Sequence, residues 1–465
     1  MPLALRSPRL RRIIVAYSVN RLGTWFGLLA LVLAVFDHTH GAESGSALAS
    51  VAGSSSGGTA ALAVAGLLFA GQALPALVVP AVVARVEASE RQHELSALYV
   101  FEAIVTTALA VIVWHYFWLP AILFLVALDG TAALAASALL RSEVARAART
   151  AVELGELRFD DGLSETERFD EAERRANAAL NVAFSTTFVL GPAIGGAIVA
   201  TAGAPAALFV DVGSFALGAL LLTDLHPHVD NAGGDSVRAR LRAAAEHVRA
   251  VPLLRRLFIA EALGLLFIES GAPIEVTFVK QTLGSGDRGV GLLLTMWGAG
   301  AVLGSLVFAR LVRWPLGLLL GAGTLGIGVA YLGLAASHSL ALACVAGIVG
   351  GVGNGLQWPS MISAVQKLTP GSLQGRLMGA AESLGSLCVA IGLPLGGLLV
   401  AVTNPRAAFV IVGAGALIAT GALIRIGDAE TSADPSDSDG SHPRTGVEDA
   451  LRGTSEQFAH EHSPT

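Results

Sequence analysis

The sequence predicts an all-α membrane protein with twelve transmembrane helices, arranged as two pseudo-symmetric six-helix bundles. Three observations predict this fold. The 465 residues are 53% hydrophobic and only 14% charged, which is too little polar surface to coat a soluble body of this size. The apolar residues lie in blocks long enough to cross a bilayer, and one of these blocks occurs twice.

The repeated block begins at Arg174 in the first half and at Arg376 in the second half. The two copies read RRANAALNVAFSTTFVLGPAIGGAIVA and RLMGAAESLGSLCVAIGLPLGGLLVA. Each copy has small residues and a proline that favour close helix packing, namely Gly191, Pro192, Gly195 and Gly196 in the first and Pro394, Gly396 and Gly397 in the second. A spanning helix that recurs in this way indicates a duplicated bundle.

The order of the segments follows from these blocks. We expect a basic cytoplasmic N-terminus over 1–12, a first bundle over 13–225, a cytoplasmic amphipathic linker over 226–255, a second bundle over 256–426 and an acidic tail over 427–465. The expected spans are 13–36, 59–84, 94–114, 118–140, 177–200, 205–225, 256–279, 287–310, 315–336, 338–366, 376–402 and 405–426. The apolar run after the basic start is longer than a signal-peptide core and lacks a cleavage site, so we interpret it as span 1.

Three segments between or after the spans have distinct compositions. Residues 141–175 form a charged, partly helical insert on the first bundle, which we expect at the cytoplasmic surface. The linker contains VRARLRAAAEHVRAVPLLRR, whose alternation of Arg with Leu, Ala and Val predicts a helix lying along the inner membrane face. The tail is rich in Ser, Asp, Glu, Gly and Pro, so we expect it to be disordered.

The charges predict orientation and exclude some partners. With a cytoplasmic N-terminus, the outer loops contain only Lys280, Arg288 and Arg406, and the other 27 of the 30 Lys and Arg residues lie near inner helix ends. An even number of spans then puts both termini in the cytoplasm, with the chain in the plasma membrane. The net charge of −6 comes from the tail, so no nucleic-acid partner is indicated.

No catalytic or cofactor motif is evident. The two lysines, Lys280 and Lys367, are not part of a phosphate-binding loop, and Cys344 and Cys388 lie inside apolar spans. We therefore expect no enzyme activity, no cofactor and no metal site.

Ionisable residues inside the spans are the main candidates for function, because each is costly at mid-membrane unless it is paired or hydrated. In the first half, Arg21 on span 1 and Asp129 on span 4 lie at similar depth, so we predict that they form an ion pair, with Glu102 on span 3 as the competing acid. A purely structural ion pair is the alternative. Asp211 on span 6 is interpreted as a helix-packing acid.

The second half has three acids within or near the spans. Glu269 lies deepest on span 7 and is the first candidate for a reversible proton carrier, since a carboxyl group away from water favours its protonated form. Glu261 and Glu382 are further candidates, with hydrated structural roles near the inner mouth as the alternative. Polar and aromatic side chains at mid-depth are the candidates for cavity walls: Asn20, Trp25, Phe26, Trp297, Asn354, Gln357 and Trp358.

The chain resembles the major facilitator superfamily, and within it the twelve-span exporters similar to macrolide and enterobactin efflux proteins. The resemblance rests on LGPAIGG within span 5, on GVGLLLTMWGAGAVLGSLVFARLVR around span 8 and on LQGRLMGAAESLGS at span 11. Arg85 and Arg310 occupy the family's cytoplasmic loop positions, although Pro80 and Ala84 replace the expected Gly and Asp before Arg85.

The resemblance implies a central cavity lined by spans 1, 4, 7 and 10 and alternating access driven by protons. We therefore expect a monomeric exporter of hydrophobic or amphiphilic small molecules that exchanges them for protons. The alternatives are a lipid or lysolipid flippase on the same fold and a membrane sensor that does not transport.

Overall fold

The described part of the chain consists of thirteen α-helices and two π-helical turns. The computed structural model describes residues 7–40, 56–75, 94–157, 164–223, 248–311, 314–367 and 371–431. Ten of its helices are long and apolar enough to cross a membrane, and two shorter apolar helices, Gly57–Ala73 and Pro405–Gly421, complete the expected twelve spans. The prediction of an all-α membrane fold is therefore confirmed.

The described residues of the first half form six helices, one for each expected span. They are α1 (Pro8–His40), α2 (Ser56–Leu68, continued by a π-helical turn over Phe69–Ala73), α3 (Glu94–His115), α4 (Leu119–Glu153), α5 (Glu165–Ala202) and α6 (Ala204–Leu221). A single residue, Gly203, separates α5 from α6 with a φ of 86°. Side chains rarely adopt this left-handed conformation, so glycine permits the abrupt reversal between two spans.

The second half has seven helices for six spans, because span 7 is broken. They are α7 (Pro252–Glu269), α8 (Gly271–Thr277, continued by a π-helical turn over Phe278–Thr282), α9 (Gly286–Arg310), α10 (Leu316–Ala336), α11 (Leu340–Lys367), α12 (Gly371–Val402) and α13 (Pro405–Thr431). The break at Ser270 follows directly after Glu269. The hydroxyl of Tyr331 on α10 donates to the Ile268 carbonyl oxygen at 2.9 Å, which satisfies a backbone group next to the break.

The charged insert over 141–175 is largely a helical extension of two spans. Helix α4 continues to Glu153, and α5 begins at Glu165 behind the N-cap Ser164, which forms a capping box with Glu167. Arg149 on α4 forms an ion pair with Glu173 on α5. Residues 158–163 between them lie outside the described part.

In the described chain, two helix pairs make the main contacts between the halves. Helix α5 packs against α9, and α2 packs against α12. The closest points of both contacts are glycines: a Cβ added to Gly196 would lie 3.0 Å from the Gly291 Cα, and one added to Gly397 would lie 3.0 Å from the Ala61 carbonyl oxygen. The repeated small-residue motif thus provides the approach surface of each pair.

Three groups of buried apolar residues show where the two halves pack together. The joint core contains side chains from both halves, including Leu33 and Leu109 with Phe278 and Phe409. The N-half core and the C-half core are separate from it and from each other. The N-half core includes Leu10, Leu95, Leu140 and Phe215, and the C-half core includes Leu254, Leu316, Met361 and Val365. The two halves therefore pack together at the end of the molecule that contains the last residues of α1. They are separate at the end that contains its first residues.

Several expected segments cannot be compared with the structure. Most of the amphipathic linker, the loop that contains Arg85 and nearly all of the acidic tail lie outside the described residues. Helix α13 runs to Thr431, so the first five residues expected to belong to a disordered tail are helical. The apolar helix of span 12 continues into this region without a break.

Candidate functional site

A cavity of about 780 Å³ lies between the two halves. Its walls come from α1–α4 and α6 of the first half and from α11 and α12 of the second half. The polar and aromatic lining residues are Arg21, Thr24, Trp25, Gln72, Thr106, Asp129, Ser137, Asp211, Trp358 and Ser386. Spans 1, 4 and 10 contribute as expected, whereas no residue of span 7 lines this cavity among those described.

Arg21 and Asp129 both line the cavity, but they do not form the expected ion pair. The Arg21 guanidinium carbon lies 5.3 Å from the centre of the Phe184 ring, in a cation–π contact with α5. Asp129 Oδ1 accepts a hydrogen bond from Thr106 on α3 at 3.4 Å. The prediction of a pair within contact distance is therefore wrong for this conformation, because each side chain has another partner on a neighbouring helix.

Glu102 lies behind the cavity wall on α3. Its side chain is buried, and its Oε2 atom has no hydrogen-bond partner. Asp129 and Asp211 are both close enough to interact electrostatically with it. The first half thus has three neighbouring carboxyl groups, and a buried group of this kind is costly to keep charged.

Asp211 packs against α1, consistent with its interpretation as a helix-packing acid, and it also lines the cavity. It lies on α6, is only 4% exposed and yet lines the cavity. Its carboxylate fits against Gly23 and Gly27 of α1. The spacing of these two glycines, one turn apart on span 1, was the available signal for a side chain that approaches this helix closely.

The other candidates on α1 surround the same region. Trp25 lines the cavity and makes an edge-to-face contact with Phe188, with the ring centres 5.3 Å apart. Phe26 belongs to the joint core instead. Asn20 is buried, accepts a hydrogen bond from Thr24 and leaves its Nδ2 atom without a partner.

The acids of span 7 form a second group away from the cavity. Glu261 is 1% exposed, and Gln357 Nε2 donates to both of its carboxylate oxygens at 3.2 and 3.3 Å. Glu269 is partly buried at the helix break, and it interacts electrostatically with Glu275 on α8. Sequence reasoning missed Glu275, which is 8% exposed, although it stands in the same apolar run as Glu269.

The remaining candidates of the second half have different surroundings. Trp358 lines the cavity, whereas Trp297 packs in the joint core with its ring centre 5.7 Å from that of Tyr331. Asn354 is partly buried on α11 and does not line the cavity. Glu382 lies on α12, and its side chain is outside those described.

The glycines of the repeated motif divide their contacts between the two halves. Gly191 and Gly195 face Trp25 and Phe26 of their own half, as Gly396 faces Ser270 of its own half. Gly196 and Gly397 face the opposite half, as described above. Pro192 contributes its carbonyl oxygen next to Gly291, and Pro394 is exposed on α12. Of the two loop arginines, only Arg310 is described, and its guanidinium donates to the Leu306 carbonyl oxygen.

A partly buried lysine joins the halves beyond the closed end of the cavity. Lys280 Nζ donates to Asp37 Oδ1 of the first half at 2.5 Å and to Asp287 Oδ1 of the second half at 2.6 Å. The ammonium group also lies 5.1 Å from the centre of the Phe36 ring. We call Asp37, Lys280 and Asp287 the Lys280 bridge. It connects the ends of spans 1 and 7 at the place where the joint core is continuous.

No metal site is apparent in the ranges that the structure covers, since no three His, Cys, Asp or Glu side chains are grouped to hold an ion. The site is a partly charged cavity between the two halves. Carboxylates, one guanidinium and two tryptophans line it.

Known proteins match this chain in sequence and in fold. A family model described as Major Facilitator Superfamily matches residues 257–454. The chain is 23% identical to the uncharacterized MFS-type transporter YfiS of Bacillus subtilis, over 55% of this chain and 63% of YfiS. It is 29% identical to the multidrug efflux pump Tap of Mycolicibacterium fortuitum, over 50% of this chain and 58% of that pump.

A solved structure extends the likeness to nearly the whole chain. The bacterial homologue of the human lysosomal transporter Spinster, in an inward-facing and unoccupied conformation, has a TM-score of 0.63 at 13% identity, and the match covers 93% of this chain and 99% of that one. This shows a shared fold. The chain spans about three fifths of the length of the curated relatives named above. The chain is thus a membrane protein whose second half matches the model of the Major Facilitator Superfamily and whose fold is similar to that of a solved transporter.

Proposed function

We propose that the chain is a secondary active transporter that exports hydrophobic or amphiphilic small molecules by alternating access, in exchange for protons. The observation that carries this proposal is the cavity between the halves, which lies where the joint core gives way to two separate cores. A cavity closed at one end by contacts between two rigid bundles is the arrangement that rocking can open to either side.

The cavity has the size and chemistry for a drug-sized molecule. Its volume of about 780 Å³ is within the range of small-molecule pockets. Leu28, Leu31, Leu109 and Leu134 give it an apolar wall, and Trp25 and Trp358 face it from opposite halves. One chain completes this cavity, which supports transport by a monomer.

The direction of transport rests on the charge pattern and on a relative. The abundance of Lys and Arg near one set of helix ends supports a cytoplasmic N-terminus in the plasma membrane. The end at which the N-half core and the C-half core are separate then faces the cytoplasm. The relative Tap is named a multidrug efflux pump, which supports export rather than uptake.

The acids inside the halves supply sites for protons. Protonation removes the cost of holding a carboxylate in an apolar interior, so a buried carboxyl can take up and release a proton as access to water alternates. Glu269 stands at the break in span 7, where a small change in backbone angle alters its surroundings. We assign the proton-carrying role first to Glu269, with Glu261 and Glu382 in the second half and Asp129, Glu102 and Arg21 in the first half as contributors.

The test measures protons and substrate together. In everted vesicles, we expect a panel of lipophilic cations, macrolides and siderophores to include compounds that cause proton release from vesicles with the wild-type chain. Glu269→Gln keeps the size of the side chain but cannot be deprotonated. It is expected to lower this release and the coupled export by about tenfold or more, equivalent to ~1.4 kcal/mol.

Glu156→Gln is the matched control, because Glu156 is exposed on the turn after α4. Its proton release and export should equal those of the wild type. Normal proton release by Glu269→Gln would remove Glu269 from the mechanism. If no compound of the panel moved with the wild-type chain, the proposed transport activity itself would be refuted.

A further inference from the structure

The carboxylate of Asp211 lines the cavity from α6, a helix that contributes only Leu208 and Asp211 to the described lining. Helix α6 packs against α1, α3 and α5 of its own half. A side chain on such a supporting helix is ordinarily screened from the cavity by the helices in front. Asp211 nevertheless lines the cavity while remaining 4% exposed.

Two glycines on α1 open the path for this carboxylate. A Cβ atom on Gly27 would lie 2.2 Å from Asp211 Oδ2, and one on Gly23 would lie 2.5 Å from Asp211 Oδ1 and 1.9 Å from Ser214 Oγ. A methyl group at either position would therefore force the Asp211 or Ser214 side chain to move. Gly23 and Gly27 therefore form a notch in α1 through which Asp211 extends.

One oxygen of Asp211 is held and the other is available. Ser214 Oγ donates to Asp211 Oδ1 at 3.1 Å, one turn along the same helix. Within the described chain, no donor is bonded to Oδ2, the oxygen that lies against Gly27 at the cavity wall. A positioned carboxylate with a free oxygen is suited to attract a positive group in a water-poor site.

The described side chains that line the cavity include one more acidic group than basic groups. The described lining residues include two carboxylates, Asp129 and Asp211, and one guanidinium, that of Arg21. Arg21 is held by the Phe184 ring rather than by either carboxylate. The two tryptophan rings on the walls add surfaces that favour cations and flat apolar groups.

We propose that Asp211 and Asp129 form a binding subsite for the positively charged group of an amphiphilic organic cation. The subsite rests on the proposed transport function and adds to it the charge of the preferred substrate. A single cation placed between these carboxylates balances the lining, and its apolar part lies against the leucine and tryptophan walls.

The test compares a cationic and a neutral probe on the purified full chain. Ethidium binding is measured by fluorescence polarisation, and chloramphenicol binding by equilibrium dialysis. In Asp211→Asn, the ratio of ethidium to chloramphenicol affinity should fall about tenfold, because the substitution removes the charge and keeps the shape. Gly27→Ala should lower the same ratio while leaving every charge in place, because the new methyl group displaces the carboxylate from the notch.

Gly213→Ala is the matched control, since it lies on α6 next to this region and its added methyl group meets no atom within 4 Å. Its affinity ratio should stay within twofold of the wild type. Only variants whose melting temperature equals that of the wild-type chain are included in this comparison. An unchanged ratio in Asp211→Asn or in Gly27→Ala, or an equal loss of both probes, would overturn the subsite.

Vesicle export with the same probes separates this inference from the proposed function. Export of chloramphenicol without binding of ethidium by the wild-type chain would refute the cation subsite and leave transport standing. Export of neither probe nor any compound of the wider panel would refute transport itself.

Discussion

At the scale of single residues, a buried carboxylate of the first half forms two ion pairs beside the N-half core. The Glu143 carboxylate is completely buried, and it accepts from Arg9 at 3.0 Å and from Arg146 at 2.6 Å. Both arginines are partly exposed, so their charges retain some contact with water. The arrangement ties the start of α1 to the far end of α4, beside the N-half core.

Loss of the Glu143 charge should destabilise the first half. Glu143→Gln would leave two guanidinium groups facing each other without a counter-charge, at a cost of about 1–3 kcal/mol. Thermal unfolding in detergent should show a clear fall in melting temperature. Arg174→Gln is the control, because its pair with Glu171 is largely exposed and is worth about 0–1 kcal/mol. Equal shifts for the two variants would contradict this reading.

The depth of a charge could be predicted from sequence, but its direction around the helix could not. Arg21 and Asp129 line the same cavity, as their matching depths suggested. Their contacts with Phe184 and Thr106 depend on how each helix is rotated, which the uniformly apolar spans do not encode. The same limit applies to Asp211, which was interpreted as a helix-packing acid but was not expected to line the cavity.

At the scale of elements, glycines decide how closely the halves approach. A Cβ atom on Gly291 of α9 would lie 2.6 Å from the Pro192 carbonyl oxygen and 3.0 Å from the Gly196 Cα. Both neighbours are backbone atoms, so they cannot move aside as a side chain would. The α5–α9 contact therefore depends on the absence of a side chain at this position.

Gly291→Ala should accordingly loosen the contact between the halves. The added methyl group would force α5 and α9 apart, which lowers the melting temperature and reduces export in the vesicle assay by about tenfold for a misfit of ~1.4 kcal/mol. Gly66→Ala on α2 provides the comparison, because its methyl group would meet no atom within 4 Å. A Gly291→Ala protein with wild-type stability and export would show that the contact tolerates the extra volume.

Element boundaries were predictable where an apolar block met a turn residue, and less so elsewhere. Gly203 separates the spans expected over 177–200 and 205–225, whereas the helix of span 7 begins at Pro252, four residues before the expected start. The continuation of α4 to Glu153 was not predicted, because charged residues end an apolar block without ending a helix. The break at Ser270 also escaped notice, since the residues around it are as apolar as the rest of span 7.

At the scale of the whole molecule, the Lys280 bridge closes one end and the separate cores leave the other end open. Lys280 is only 10% exposed, and its ammonium group is shared between the two halves. An opening of this end must separate Lys280 from Asp37, whereas Asp287 can move with it. The bridge therefore favours the conformation in which the end bearing the start of α1 is open.

Removal of the bridge should shift the molecule toward the opposite conformation. Lys280→Met keeps the length of the side chain and removes the charge. Spin labels at Arg149 and Lys367, near the ends of α4 and α11, report the separation of the halves by double electron–electron resonance, after Cys344 and Cys388 are replaced by Ala. The shorter-distance population should increase several-fold in Lys280→Met. Arg288→Met serves as the control on the same outer surface, and an identical distribution in Lys280→Met and wild type would contradict the role of the bridge.

The duplicated architecture could be predicted from the sequence, whereas the end at which the molecule is open could not. The motif at Arg174 and Arg376 predicted two related bundles because repeated packing residues imply repeated packing. Which end is open depends on small differences between two sets of contacts, such as those of Lys280 and Gly291. The sequence contains the residues of both sets of contacts, and it does not show which set is formed.

The walls of the cavity are divided unequally between the halves. Among the described lining residues, the second half supplies only Trp358, Gly385, Ser386 and Val389. If the chain transports as proposed, the first half makes most of the contacts with a bound molecule and the second half makes few of them. We then expect substitutions in α1–α6 to change substrate preference, and substitutions in the second half to change how readily the cavity opens.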